Sequence, residues 1–205
     1  MHIADGVLPT VVAAGGYVLT LAGLGLSLRA VDHRDLPKIA VVTSSFFVAS
    51  LIHLPLGPTS VHLLLPGIVG ALLGPVAFLS ITLGLFLQSL LFQFGGLTAL
   101  GANAVMMGVP ALLCGWCFRR FHGTTRVSHA VVGGLVSAVG VLLAALLLAL
   151  LLATGGDSFL GVAKMALLAH VPVMVIEALV GGSVISFIYR VKPELLGPRY
   201  RGARR

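Results

Sequence analysis

Charge is what this sequence has least of. Only 9% of its 205 residues are Asp, Glu, Lys or Arg, and six are acidic. A soluble domain carries about 25% charged residues, so water is a poor solvent for any surface this chain can build. Hydrophobic residues make up 58%, more than a soluble core absorbs, and the solvent is therefore read as lipid. Aromatic residues are sparse at 7%. No basic helix or aromatic stacking platform accompanies the net charge of +7, which argues against nucleic acid as a partner. Cysteine is scarce too: Cys114 and Cys117 have C-x-x-C spacing without a second pair, so a zinc or redox motif is incomplete. The chain has no Gly-x-x-x-x-Gly-Lys-[Ser/Thr], no Gly-x-Ser-x-Gly, no His-Glu-x-x-His and no recognisable nucleophile–base pair. It is expected not to be an enzyme, and any ATP hydrolysis must come from other subunits. The start lacks a basic n-region, and Asp5 and Pro9 interrupt the approach to the first apolar run, so Met1 is expected to be retained.

What is present is a series of apolar segments: residues 9–30, 36–54, 62–73, 76–94, 103–118, 127–153 and 160–189. Most approach or exceed the ~20 residues needed to cross hydrocarbon. The third is short, and must tilt or continue through Gly74-Pro75. The pattern predicts an all-α polytopic membrane protein with about seven transmembrane helices. Residues 1–205 form one integral membrane domain, of which 191–205 are a basic cytoplasmic tail. With the N-terminus outside and the C-terminus inside, only Lys164 of the thirteen Lys and Arg residues falls on the outer side. The positive-inside rule selects that orientation and an odd number of crossings. Three polar, Gly- and Pro-containing patches then share the outer side: the N-terminus, "IHLPLGPTSVH" and "QFGGLTALGAN". Irregular backbone at membrane depth is tolerated only where protein covers it or water reaches it, which suggests a pocket.

The opening "MHIADGVLPT" places a histidine directly behind the initiator methionine. A free α-amine, the following peptide nitrogen and the His2 imidazole can reach one metal ion. Amine and peptide nitrogen close a five-membered chelate ring, and peptide nitrogen and the nearer ring nitrogen close a six-membered one. A fourth nitrogen completes a square-planar N4 site, a geometry diagnostic of Ni(II) or Cu(II), and nitrogen ligands also accommodate Co(II). The peptide nitrogen must lose its proton, so affinity falls with pH. His62 and His53 lie on the same side. His62 is preferred as the fourth ligand, because Thr59 and Ser60 can cap the short third helix and fix its ring. His53 is read as a neighbouring residue in support. Asp5 either accepts a bond from the terminal segment or caps the first helix.

Two stripes of small residues, Gly16, Thr20, Gly23, Ser27 and Gly133, Ser137, Gly140, Ala144, have the spacing of close helix contacts. They are read as internal packing, with a partner-docking face as the alternative. Glu177 is the carboxylate deep in an apolar segment, with His170 two turns earlier on the same face. A structural hydrogen bond or a partner contact is the first expectation, and a proton relay the second.

Four stretches, "MHIADGVLP", "GPTSVHLLLPGIVGALLGP", "LQSLLFQFGGLTALGANAVMMG" and "HVPVMVIEALVGG", resemble the metal-capturing M subunit of cobalt/nickel energy-coupling factor (ECF) transporters. They are distributed along nearly the whole chain. The resemblance implies a substrate-binding S component of an ATP-driven importer that takes Ni(II) or Co(II) as cargo. It implies ligation by Met1, His2 and His62, and an added N-terminal helix giving seven helices. It places "GGLTALGAN" at the substrate cavity, with Gln88 and Asn103 as candidates to orient ligands or the terminal strand; interhelical bonding and helix capping are their alternatives. The implied partners are a transmembrane T subunit, cytoplasmic ATPase subunits and a small accessory membrane subunit, in the inner (plasma) membrane of a prokaryote. No catalytic cofactor is expected. The rival reading is a structural or cofactor-holding membrane subunit, its histidines binding haem for example.

Overall fold

The computed structural model describes residues 2–56, 59–156 and 159–197; of residues 53–56 and 59–61 only the backbone is described. Among the described residues there are seven α-helices: α1 Thr10–Arg29, α2 Leu36–Ser50, α3 Pro66–Leu73, α4 Ala77–Phe92, α5 Leu100–Phe121, α6 Arg126–Ala153 and α7 Leu160–Val191. Two short strands, β1 His53–Leu56 and β2 Thr59–His62, pair antiparallel between α2 and α3. This short hairpin is a local exception within an otherwise helical fold of the expected all-α class. The second segment stops being helical at Ser50, and the third does not begin until Pro66, which takes the first helical position because it has no N–H to leave unsatisfied.

Among the described residues five stretches are long and apolar enough to cross a membrane: α1, Pro66–Phe92, α5, α6 and α7. Pro66–Phe92 contains α3, a 3₁₀ turn over Gly74–Val76, and α4. Helix α2, at 15 residues, is shorter than the ~20 that span the hydrocarbon.

The packing runs opposite to that of a soluble bundle. On α1 the buried positions are Gly16, Thr20 and Ser27, whereas Val18, Leu19, Leu21 and Leu26 face outward. Large apolar groups outside and small or hydroxyl-bearing ones inside is the arrangement lipid favours. Both small-residue stripes are internal packing faces. A Cβ on Gly16 would lie 2.6 Å from the Ala102 backbone nitrogen, and one on Gly181 would lie 2.0 Å from Ser137 Oγ on α6. Thr20 Oγ1 donates to the Gly101 carbonyl at 2.8 Å, so α1 lies directly on α5.

Successive helices alternate in direction. At one end, Ser27 Oγ donates to the Pro75 carbonyl at 2.7 Å. A cavity of about 310 Å³ there is lined by Ala30, Lys38, Pro75, Arg119 and Leu196. The end of α1, the start of α2, the α3–α4 turn, the end of α5 and the 3₁₀ turn Pro193–Leu196 therefore meet at this basic end. The start of α6 is there as well, capped by a reciprocal Thr125–Ser128 box. The opposite end gathers the terminal segment, the β-hairpin, and the α4–α5 loop.

Candidate metal centre

The terminal segment reaches its place by backbone recognition. Ile3 N–H donates to Asn103 Oδ1 at 2.9 Å, and Asn103 Nδ2 donates back to the Ile3 carbonyl at 3.0 Å. One side-chain amide thus satisfies both polar groups of a residue whose side chain is buried. Asn103 Nδ2 also donates to the Gly95 carbonyl at 3.3 Å, which ties the α4–α5 loop to the same clamp. Asn103 does not cap α5, whose N-cap is Ala99.

Two residues further on, Asp5 Oδ1 accepts from Thr98 N–H at 2.8 Å and from the Thr98 hydroxyl. Those bonds, the hydroxyl's above all, hold the exposed carboxyl below its ordinary range, against a smaller opposing effect of burial. Asp5 does not cap α1; the N-cap is Pro9, with no side-chain bond. The loop beneath must lack side chains. Gly95 has φ +84° and Gly96 φ +66°. A Cβ on Gly95 would lie 2.8 Å from His2 Cβ, and one on Gly96 would lie 2.1 Å from Asp5 Cγ. The two glycines of "GGLTALGAN" are therefore the floor on which residues 2–5 rest.

The His2 and His62 rings meet over this floor. Their centroids are 4.9 Å apart and their planes within 16° of parallel. Phe94 stacks on His2 from 6.2 Å and forms an apolar wall. His62 is 4% exposed, and its Nδ1 donates to the Leu63 carbonyl at 3.0 Å. Burial pushes its pKa below the ordinary imidazole value, only partly offset by that bond. The ring is thereby kept neutral, the state in which imidazole binds a metal. In the tautomer that donates from Nδ1, the ring's lone pair is on Nε2. A cavity of about 460 Å³ opens beside the segment, lined by Ala4, Asp5, Ser89, Gln93, Gly96 and Leu97.

The remaining expected residues fall in different places. The hairpin register pairs His53 with His62 and Ser60 with Pro55. The side chains of His53 and Ser60, and all of Met1, lie outside the described residues. Thr59 and Ser60 do not cap α3: its N-cap is Leu65, in a left-handed conformation with φ 53° and no side-chain bond of its own. Gln88 donates to Ser50 Oγ and joins α4 to the end of α2, so its described side-chain bond is interhelical and does not reach the terminal segment. Among the described residues no three His, Cys, Asp or Glu side chains converge as metal ligands. A metal held beside His2 and His62 would draw on backbone nitrogen as well.

The structural hydrogen bond that is the first expectation for Glu177 is present. Glu177 is fully buried, and its Oε1 accepts both Leu64 N–H and Leu65 N–H, the latter at 2.8 Å. It supplies the cap that the residues before α3 lack.

The chain matches the family described as "Cobalt uptake substrate-specific transmembrane region" over residues 2–195. It is 34% identical to a putative metal transport protein of Haemophilus influenzae over 201 residues, 96% of this chain and 97% of that one. It is 31% identical to the fused nickel transport protein NikMN of Rhodobacter capsulatus, covering 97% of this chain and 65% of the longer relative. A putative cobalt transport protein, CbiM 1 of Methanocorpusculum labreanum, is 30% identical over 96% of this chain and 92% of its own length. Among solved structures, a transition metal transporter superposes with a TM-score of 0.69 at 26% identity, covering 95% of each chain.

Proposed function

This chain belongs to the family of cobalt uptake substrate-specific transmembrane regions, and on that premise we propose that it captures Ni(II) or Co(II) in a square-planar site of four nitrogens. The ligands are the Met1 amine, the His2 peptide nitrogen, His2 Nδ1 and His62 Nε2. The supporting observation is the side-by-side placement of the His2 and His62 rings, 4.9 Å between centroids, on a terminal segment clamped by Asn103. With metal–nitrogen bonds of about 2 Å, two imidazoles on adjacent corners of a square plane put their centroids about 4–5 Å apart. Amine, peptide nitrogen and His2 Nδ1 take three successive corners, so the fourth corner is adjacent to the His2 ring, where His62 lies. Asn103 acts one peptide further along: by gripping Ile3 N–H and carbonyl it orients the His2 peptide without occupying its nitrogen. Rings this close leave no slot for a macrocycle between them, which disfavours a haem-holding role.

The site would face outward, with seven crossings, the N-terminus outside and the C-terminus inside. The alternating helix directions and the clustering of basic residues at the opposite end support that orientation. The protein then acts as the substrate-specific component of an ATP-driven ECF importer in a prokaryotic inner membrane. A transmembrane T subunit, cytoplasmic ATPases and a small accessory membrane subunit are the partners. Asp5, with His53 and Ser60 in the hairpin, would support the ligands, and residues 191–205 would form the cytoplasmic tail.

The test is metal titration of purified protein with its native N-terminus, beside a variant with one alanine inserted between Met1 and His2. One tightly bound ion, a yellow diamagnetic nickel complex and loss of both on insertion are expected. Equal binding by the two proteins would sink the terminal chelate.

A further inference from the structure

We propose that Glu177 is the positioning residue for His62, holding that imidazole at the fourth corner of the metal site from a different helix. The inference rests on the four-nitrogen reading above and adds the element that sets its fourth ligand. His62 ends β2, and α3 begins at Pro66. The three residues between them are Leu63, Leu64 and Leu65, the last left-handed. A leucine gains nothing from that conformation, so the surroundings must impose it. The N–H groups here lie at a helix start, where no intrahelical acceptor exists. Glu177 Oε1 takes those of Leu64 and Leu65 together, across 113 and 112 residues of sequence.

The link to the metal position is short. His62 Nδ1 donates to the Leu63 carbonyl, and Glu177 accepts the N–H of that same peptide, from Leu64, and of the next, from Leu65. Ring, peptide segment and carboxylate form one continuous chain of hydrogen bonds anchored on α7. Among the described residues no cation pairs with Glu177, and its Oε2 has no hydrogen-bond partner. Its one visible task is to accept two backbone donors with a single oxygen. A side-chain amide oxygen at the same reach can do that, so charge is not what the site requires of this position. A polar group otherwise costly to bury is retained here by what it fixes.

The experiment is a double-mutant cycle on the full-length protein with a native N-terminus, titrated with Ni(II) and read by affinity and by the visible ligand-field band. His62→Ala should lose the planar spectrum. Glu177→Leu should weaken binding by about 10–100-fold, the range for residues that orient a ligand without touching the metal. It should also shift the band, because the terminal chelate keeps three nitrogens and the fourth corner is poorly filled. Glu177→Gln should bind within about threefold of the native protein, rescued by its amide oxygen. In the His62→Ala background, Glu177→Leu should cost nothing further. If the leucine variant does not fold, Glu177→Asp completes the same cycle, since its oxygen is withdrawn by one methylene. Native-like binding by the Leu or Asp variant would overturn the proposal. So would a Gln variant as weak as Leu, or an equal loss with and without His62. If His62→Ala itself binds like the native protein, the four-nitrogen reading has failed, and this proposal with it.

Discussion

The two ends of the bundle are built by different means. At the basic end, helices finish conventionally: the Thr125–Ser128 box caps α6, and Arg126 Nε donates to Ser186 Oγ at 2.9 Å. At the pocket end, the backbone is irregular and its polar groups are satisfied by distant side chains. Asn103 serves Ile3 across 100 residues, Asp5 serves the Thr98 N–H across 93, and Glu177 serves Leu64 across 113. Helix interiors satisfy themselves, and the orphan groups at a helix start can be met locally, as the Thr125–Ser128 box does for α6. The segments at this end are not helical, so their backbone donors and acceptors need partners from elsewhere in the fold. The difference teaches that the pocket end leans on side chains about a hundred residues away, whereas the basic end adds a local cap to shorter-range bonds such as Arg126–Ser186, 60 residues apart.

The largest effect should come from filling the floor. Gly95→Val places a branched side chain at φ +84° and against His2. Nickel affinity should fall by more than about 100-fold while helix content stays native, a greater loss than removal of an orienting residue alone brings. Isothermal titration beside circular dichroism checks this. Retained binding would mean that residues 2–5 do not need that surface. Next is Asn103→Ala, which leaves the Ile3 peptide groups unsatisfied and should weaken nickel binding by about 10–100-fold. An unchanged affinity would show that the chelate orients itself.

Acid gives the third contrast. Binding in the proposed chelate displaces protons from the Met1 amine and the His2 peptide nitrogen. Below the amine's ordinary pKa of about 7.7–8.0, affinity should drop about tenfold per pH unit for each proton displaced. His62, held neutral by burial, should add to that slope only at a pH below the ordinary imidazole value of about 6.5. A titration series from pH 8.5 to 5.5 resolves the two regimes. A flat profile would exclude displacement of those protons. The smallest effect is expected at the other end. Arg126→Ala should cost about 1 kcal/mol of stability in a detergent unfolding assay and leave nickel affinity untouched. A loss of affinity matching that of Asn103→Ala would mean that the ends are not independent.

Most of the helices were legible as apolar runs. Residues 9–30 gave α1 and 160–189 gave α7 to within two residues at each end, because lipid solvation demands unbroken hydrophobicity there. The hairpin was not legible. Pro55 and Gly57-Pro58 read as a turn-rich patch, and the alternation in the flanking residues is too short to distinguish strand from loop. Pro66 marks the true start of α3, a signal outweighed by the apparent cap Thr59-Ser60 just before His62. Asp5 was singled out by residue type and Asn103 through the family resemblance, yet what they touch depends on contacts 93 and 100 residues away, which leave no periodic trace. Glu177 was visible as an oddity in a hydrophobic helix; that its partners are two peptide N–H groups could be read only from coordinates.

The clamp on Ile3 also imposes an order in time. Residues 2–5 are synthesised before Gly95, Thr98 and Asn103, the groups that seat them. Until α4 and α5 have been made and packed, the terminal strand has nowhere to dock. The earliest part of the site to be translated is thus among the last to be installed, and a folding intermediate with all seven helices formed can still be unable to hold its cargo.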